Sequence, residues 1–179
     1  MCGIVGLFDP YISQDQVLEK VKITNHLQKH RGPDDQGFFQ DKGTNFSQAM
    51  TRLSILGIEE NKQPIYSNDG RYCLVYNGEI INFKELKDYL KGKGIYLKKG
   101  NSDTEVLLEL LILLKEKALE LLNGMFAFSF YDKKEKKILI ARDRFGIKPL
   151  YFFYKKGFGF ASELKSLLKL YNDETEINK

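Results

Sequence analysis

The chain has 179 residues and 20.7 kDa, 42% hydrophobic and 29% charged, a balance that fits one soluble globular domain and excludes disordered and collagen-like chains. A net charge of +4 and a pI near 8.9 are too mild for a charge-driven polymer binder, and the lysine clusters Lys98-Lys99 and Lys133-Lys134-Glu135-Lys136-Lys137 carry no interleaved aromatics, so no nucleic acid is expected as partner. The longest aliphatic run, Leu110 to Leu114, is far shorter than the ~20 residues that cross a bilayer. The N-terminal apolar stretch stops at Asp9 with no basic residue before it, unlike a signal peptide. A cytoplasmic protein is expected, with Cys2 and Cys73 as thiols.

In chain order, Cys2 to Phe8 is continuously apolar and predicts a strand buried on both faces. Gln14 to His30 carries Val17, Leu18, Val21 and Leu27 at helical spacing, and Arg31-Gly32-Pro33-Asp34-Asp35 breaks that helix. Gly37 to Met50 predicts a hairpin turning at Asp41-Lys42-Gly43, and Arg71 to Ile81 a strand that ends around Asn77-Gly78. Ser102-Asp103-Thr104-Glu105 predicts a capping box opening a largely buried helix to about Leu122. Strands follow at Met125 to Tyr131, Lys137 to Arg142, Leu150 to Lys155 and Phe158 to Ala161, then a helix from Ser162 to Leu168. Strands in antiparallel groups with helices between them predict one α+β domain of two stacked sheets covered by helices.

The chemistry-bearing stretch is Met1-Cys2-Gly3-Ile4. If the initiator Met is trimmed, Cys2 carries a thiol and a free α-amine on one residue, and an α-amine titrating near ~7.7 to 8.0 can serve that thiol as its base. A small buried Cys packing in a strand is the alternative. Asn77-Gly78-Glu79 offers a side-chain amide beside a glycine N–H, two donors that can meet one oxyanion; the same dipeptide also makes tight turns. Arg52 has the fork that suits a carboxylate, or is a surface cation, and Asp103 is equally explained by the dipole of the helix it opens.

Together these stretches resemble the N-terminal glutamine amidotransferase domain of asparagine synthetases, a class II amidotransferase with the N-terminal-nucleophile hydrolase fold. The resemblance runs in order from Met1-Cys2-Gly3-Ile4-Val5-Gly6 through His30-Arg31-Gly32-Pro33-Asp34-Asp35, Arg52-Leu53-Ser54-Ile55, Tyr76-Asn77-Gly78-Glu79-Ile80 and Ser102-Asp103-Thr104-Glu105. It continues through Asn123-Gly124-Met125-Phe126-Ala127-Phe128, Arg142-Asp143-Arg144-Phe145-Gly146-Ile147-Lys148-Pro149-Leu150-Tyr151 and Ala161-Ser162-Glu163-Leu164-Lys165. It implies a four-layer αββα sandwich with Cys2 at the tip of a central strand, one amidotransferase domain over residues 1–179, and L-glutamine as substrate. By the same resemblance Cys2 is the nucleophile and Asn77 and Gly78 form the oxyanion hole. Arg52 binds the α-carboxylate, Asp103 and Glu79 the α-ammonium, and Leu53, Ser54, Ile55 and Leu56 add backbone contacts.

Thr51 stands where the family often has His, and Ile81 where it usually has Tyr. The chain holds no Gly-Gly pair, hence no Ser-Gly-Gly-x-Asp-Ser loop of the ATP-dependent synthetase domain. No cofactor is therefore expected on this chain, ATP and Mg belonging to a synthetase domain or subunit that would be its partner. The competing expectation is a non-catalytic module that keeps the fold to dock a synthetase-type partner.

Overall fold

The computed structural model describes residues 1–53, 62–98 and 102–171. Ser54, Ile55 and Leu56 lie outside the described residues. Strand β1 (Gly3–Phe8) is followed by helix α1 (Gln14–Leu27) and a 3₁₀ turn at Lys29–Arg31. Next come β2 (Asp35–Asp41), β3 (Phe46–Arg52), β4 (Ile65–Tyr66) and β5 (Tyr72–Ile80). Helices α2 (Phe83–Gly92) and α3 (Asp103–Leu114) precede β6 (Gly124–Asp132), β7 (Lys137–Arg142), β8 (Tyr151–Tyr154), β9 (Phe158–Ala161) and helix α4 (Leu164–Tyr171).

The strands form two antiparallel sheets, ordered β2-β3-β1-β9-β8 and β4-β5-β6-β7. Because side chains alternate across a strand, each sheet divides its residues between two cores. Ile4, Phe46 and Met50 of the first sheet meet Cys73, Val75, Ala127 and Tyr131 of the second in a shared core between the sheets. Val5, Leu7 and Ala49 face the opposite way, onto Val17 and Val21 of α1 and Leu167 and Leu170 of α4. Leu74, Tyr76, Phe128 and Phe130 pack under Leu86 and Leu90 of α2 and Val106, Leu107 and Leu111 of α3. The result is the αββα sandwich the sequence implies. β1, flanked on both sides and covered on both faces, has no side open to water; Ile4, Val5 and Leu7 are at most 2% exposed, which explains a continuously apolar strand in an antiparallel sheet.

Several local expectations change. Asn77-Gly78 does not end its strand: both residues lie inside β5, opposite Ala127 and Phe126. Gly78 is required there by close approach, since a Cβ would sit 2.3 Å from the Met125 carbonyl oxygen and 2.7 Å from Phe126 Cα. The Ser102 hydroxyl accepts from Thr104 N–H at 3.1 Å, and Glu105 reaches Lys98 N–H at 2.8 Å rather than closing a box. A reciprocal capping box instead opens α1, between Ser13 and Gln16. The buried helix expected to about Leu122 stops at Leu114, where Lys115 turns to φ 54° and its ammonium lies 4.1 Å over the Tyr72 ring and donates to the Tyr72 hydroxyl; a 3₁₀ turn continues to Glu120. Helix α2, whose Phe83, Leu86 and Leu90 recur at helical spacing, and the two-residue β4 were not read from the sequence.

Asp143 fixes the start of β6. Its carboxylate, 5% exposed, accepts from Phe126, Ile147 and Lys148 N–H at 3.2, 2.9 and 2.9 Å. Burial opposes its ionisation, but those backbone donors outweigh burial and hold its pKa below the usual carboxylate value. The stability it lends is fully present above the usual carboxylate value and is lost as pH falls from there through the lowered folded-state pKa. Asp143→Asn should lower stability by about 3 kcal/mol, roughly 6 to 12 °C in Tm, and flatten the loss of stability below about pH 4; thermal melts of both proteins from pH 7 to pH 3 measure this.

Candidate active site

Register and side-chain alternation bring the chemistry-bearing residues to one end of the inter-sheet core. Gly3 pairs with Thr51 across β1 and β3, so the next step of the ladder sets Cys2 opposite Arg52. Even-numbered residues of both strands face the other sheet, as Ile4, Phe46 and Met50 do, and this alternation directs Arg52 inward. Cys2 packs against the same inner cluster, and its Sγ lies 3.9 Å from the Leu53 carbonyl oxygen. Arg52 is 5% exposed, a buried cation at a strand end rather than a surface one. On the facing sheet Asn77 shares its face with Cys73 and Val75 and sits opposite Ala127.

Asn77 is 2% exposed, and its amide nitrogen Nδ2 has no hydrogen-bond partner among the described residues. A buried donor left unpaired costs about 1–3 kcal/mol, a cost that an acceptor placed against the amide would relieve. Gly78 N–H points to the open edge of β5 by the same alternation. Two residues before it, the Gln63 side chain imitates a strand, accepting from Tyr76 N–H at 2.7 Å and donating to the Tyr76 carbonyl at 3.1 Å. Two residues after it, Ile80 N–H donates to Asp103 Oδ2 at 3.0 Å. Gln63 and Asp103 thus bracket the Gly78 N–H along an edge where β4 has already ended.

Asp103 begins α3, and its Oδ2 also accepts from the Tyr76 hydroxyl at 2.8 Å. Burial, and then the adjacent Asp103 carboxylate, push the Tyr76 pKa well above the ordinary value, so this hydroxyl stays protonated as a donor. The two bonds orient the carboxylate against β5 while Thr104 Oγ1 approaches Oδ1 at 3.4 Å. Glu79 is exposed on the strand between these groups. Thr51, in the place of the family's frequent His, is turned away from the inner core and donates to the Gln28 carbonyl at 3.3 Å.

Sequence reasoning assigned no role to Arg31, Gln63, Tyr76 or Glu163. Arg31 Nε donates to the Cys2 carbonyl at 3.0 Å, and Arg31 Nη1 and His30 Nε2 both contact Glu163 Oε1, at 3.3 and 2.7 Å. Gly32 lets the chain after Arg31 lie against β3, because a Cβ there would be 2.5 Å from the Arg52 backbone. Arg31, Tyr76 and Glu163 do stand in motif blocks that carry the resemblance, which was the available signal; the contacts of Gln63 depend on tertiary pairing and leave no local pattern. Cys73, the other thiol, is fully buried beside Gln48 Nε2 at 3.2 Å, and burial pushes its pKa up to about 12, so it is a packed, unreactive thiol.

This end of the sandwich thus gathers a thiol on the second residue, a buried arginine and a buried amide without an acceptor. The glutamine amidotransferase domain family matches residues 1–179, and the chain belongs to that family. It is 43% identical over 182 residues to asparagine synthetase [glutamine-hydrolyzing] 1 of Bacillus subtilis, a match covering 100% of this chain and 28% of that protein. It is 37% identical to putative asparagine synthetase [glutamine-hydrolyzing] 2 of Methanocaldococcus jannaschii, over 100% of this chain and 38% of that protein. Identity with asparagine synthetase B [glutamine-hydrolyzing] of Escherichia coli is 36%, over 94% and 30% of the two chains. The chain therefore spans well under half the length of these relatives. Among solved structures, the glutamine phosphoribosylpyrophosphate amidotransferase of B. subtilis shares the fold, with TM-score 0.75 at 21% identity, over 94% of this chain and 43% of that one. No helix among the described residues is long and apolar enough to cross a membrane.

Since Asn77 Nδ2 makes no hydrogen bond among the described residues, Asn77→Leu should leave Tm within about 2 °C of the parent or raise it. A calorimetric loss of 5 °C or more would show instead that the amide carries a structural hydrogen bond.

Proposed function

We propose that the chain is the glutaminase part of a glutamine-hydrolysing asparagine synthetase, releasing ammonia from L-glutamine through a thioester on Cys2. The observation that carries the reading is the buried, unpartnered Asn77 Nδ2 on the sheet face opposite the strand end that bears Cys2 and Arg52.

Once Met1 is removed, the Cys2 α-amine takes the thiol proton and Sγ adds to the γ-carboxamide carbon of glutamine. The negative charge that develops on oxygen is met by Asn77 Nδ2 and Gly78 N–H. Collapse expels ammonia, which receives the proton held by the α-ammonium, and leaves a glutamyl thioester. Water then hydrolyses the thioester to glutamate and returns the proton to the thiolate. Arg52 binds the α-carboxylate, aided by the backbone of Leu53, Ser54, Ile55 and Leu56, and Asp103 with Glu79 takes the α-ammonium. Opposite charges at the two ends of the substrate select free glutamine over a glutamine within a peptide. The reading places ATP and Mg on a synthetase domain or subunit, which receives the ammonia, and places the protein in the cytoplasm.

The test is the chain with Met1 shown absent by intact mass. A glutamine-like diazoketone should label Cys2 and glutamate should form from glutamine; an unlabelled Cys2 without glutamate release would favour a docking module without catalysis. Cys2→Ala should abolish release while Cys73→Ala leaves it nearly intact, and equal losses in two folded variants would refute the assignment. Asn77→Ala should lower kcat by roughly 10² to 10³ with little change in KM, the signature of a donor that strengthens as charge develops. Arg52→Ala should chiefly raise KM, because the α-carboxylate is charged in ground and transition states alike. Steady-state glutamate assays separate the two patterns.

A further inference from the structure

The ladder that steadies β1 ends before it reaches the nucleophile. β9 pairs with β1 from Phe8 back to Val5, opposite Ala161, leaving Ile4, Gly3 and Cys2 without a strand on that side. The turn from β9 into α4 replaces it. Ser162 N–H donates to the Ile4 carbonyl at 2.9 Å, and Ser162 Oγ accepts from Ile4 N–H at 2.9 Å. The next outward-facing carbonyl of β1 is that of Cys2, which takes Arg31 Nε. Arg31 is in turn gripped by Glu163, the residue after Ser162.

Glu163 is well placed to hold this arginine. Its side chain is 18% exposed and that of Arg31 10%, so their attraction is less screened than that of a surface pair. Lys165 Nζ at 3.2 Å and His30 Nε2 at 2.7 Å fix the carboxylate from its other sides. Burial disfavours its charge, but bonds from His30, Lys165 and Arg31 outweigh burial and lower its pKa, keeping it ionised near neutral pH. A misplacement of about 1 Å at a reacting atom lowers a rate by up to ~10²-fold, so a device that pins the carbonyl of the nucleophilic residue bears directly on kcat.

We infer that Glu163 is a positioning residue for Cys2, acting through Arg31 to continue the β9 side of the sheet to the end of β1. The inference rests on the role proposed for Cys2.

The test is a double-mutant cycle in the full chain. Glu163→Gln should lower kcat about tenfold with KM within about twofold of wild type, and Glu163→Asp, which retains the charge, should lose less. In an Arg31→Ala background Glu163→Gln should cause no further loss, because residues acting as one unit are not additive. Glu135→Gln, which removes a carboxylate 3.9 Å from Arg71 on the other sheet, is the control and should leave kcat unchanged. Additive losses, an unchanged kcat in Glu163→Gln, or an Asp variant worse than the Gln variant would overturn the inference. Failure of the wild-type chain to release glutamate would count against the glutaminase reading alone. The positioning is then judged by Cys2 alkylation with iodoacetamide, which should quicken threefold or more in Glu163→Gln when Arg31 is present and not when it is absent; equal rates would overturn it.

Discussion

Everything at the candidate site depends on where β1 stops. A strand enclosed by neighbours on both edges and by cores on both faces cannot slide, because a shift of one residue would turn Ile4 out of the inter-sheet core and place Val5 within it. Cys2 is thereby set one residue beyond a fixed register, opposite Arg52 and at the rim of the core that the two sheets share. The free end of a chain is ordinarily its most mobile part. Here the first residues are bracketed by Thr51 on one side and by Ser162 and Arg31 on the other.

The second sheet answers this placement with donors rather than with side chains that fill space. Along β5 the inner face passes from Cys73 and Val75, which pack, to Asn77, whose amide nitrogen is buried without an acceptor. Along its open edge the backbone is taken up by Gln63 and by Asp103, on either side of Gly78. A buried amide without an acceptor is what the oxyanion role proposed for Asn77 requires. Asp143 supports this from behind, since it anchors Phe126, the residue paired with Gly78.

Much of this was legible in the sequence, for identifiable reasons. The unbroken apolar run of β1 follows from burial on both faces, the strands at β5 and β6 lie where their apolar runs predict, and β9 ends at Ala161 as its pattern predicts. The role proposed for Cys2 follows from the chemistry of a terminal amine beside a thiol. What could not be read locally was whatever is decided by partners distant in sequence. Asn77-Gly78 has the composition of a turn, yet it continues a strand because β6 runs close enough to exclude any Cβ at Gly78. Ser102 and Glu105 have capping-box spacing, but Lys98 N–H competes for the Glu105 carboxylate. The link from Glu163 to Cys2 spans more than 130 residues of chain between Arg31 and Glu163 alone, and neither residue type signals it.

The central claim is that Cys2 carries the glutamyl group during turnover. Acid quench of the chain while it hydrolyses isotopically labelled glutamine, followed by mass analysis of its peptides, tests this directly. The account predicts labelled glutamyl thioester on the peptide containing Cys2, in larger amount when an Asn77 variant slows its hydrolysis more than its formation, and none on the peptide containing Cys73. Glutamate formed at full rate with no label at Cys2, or with label at Cys73, would contradict it.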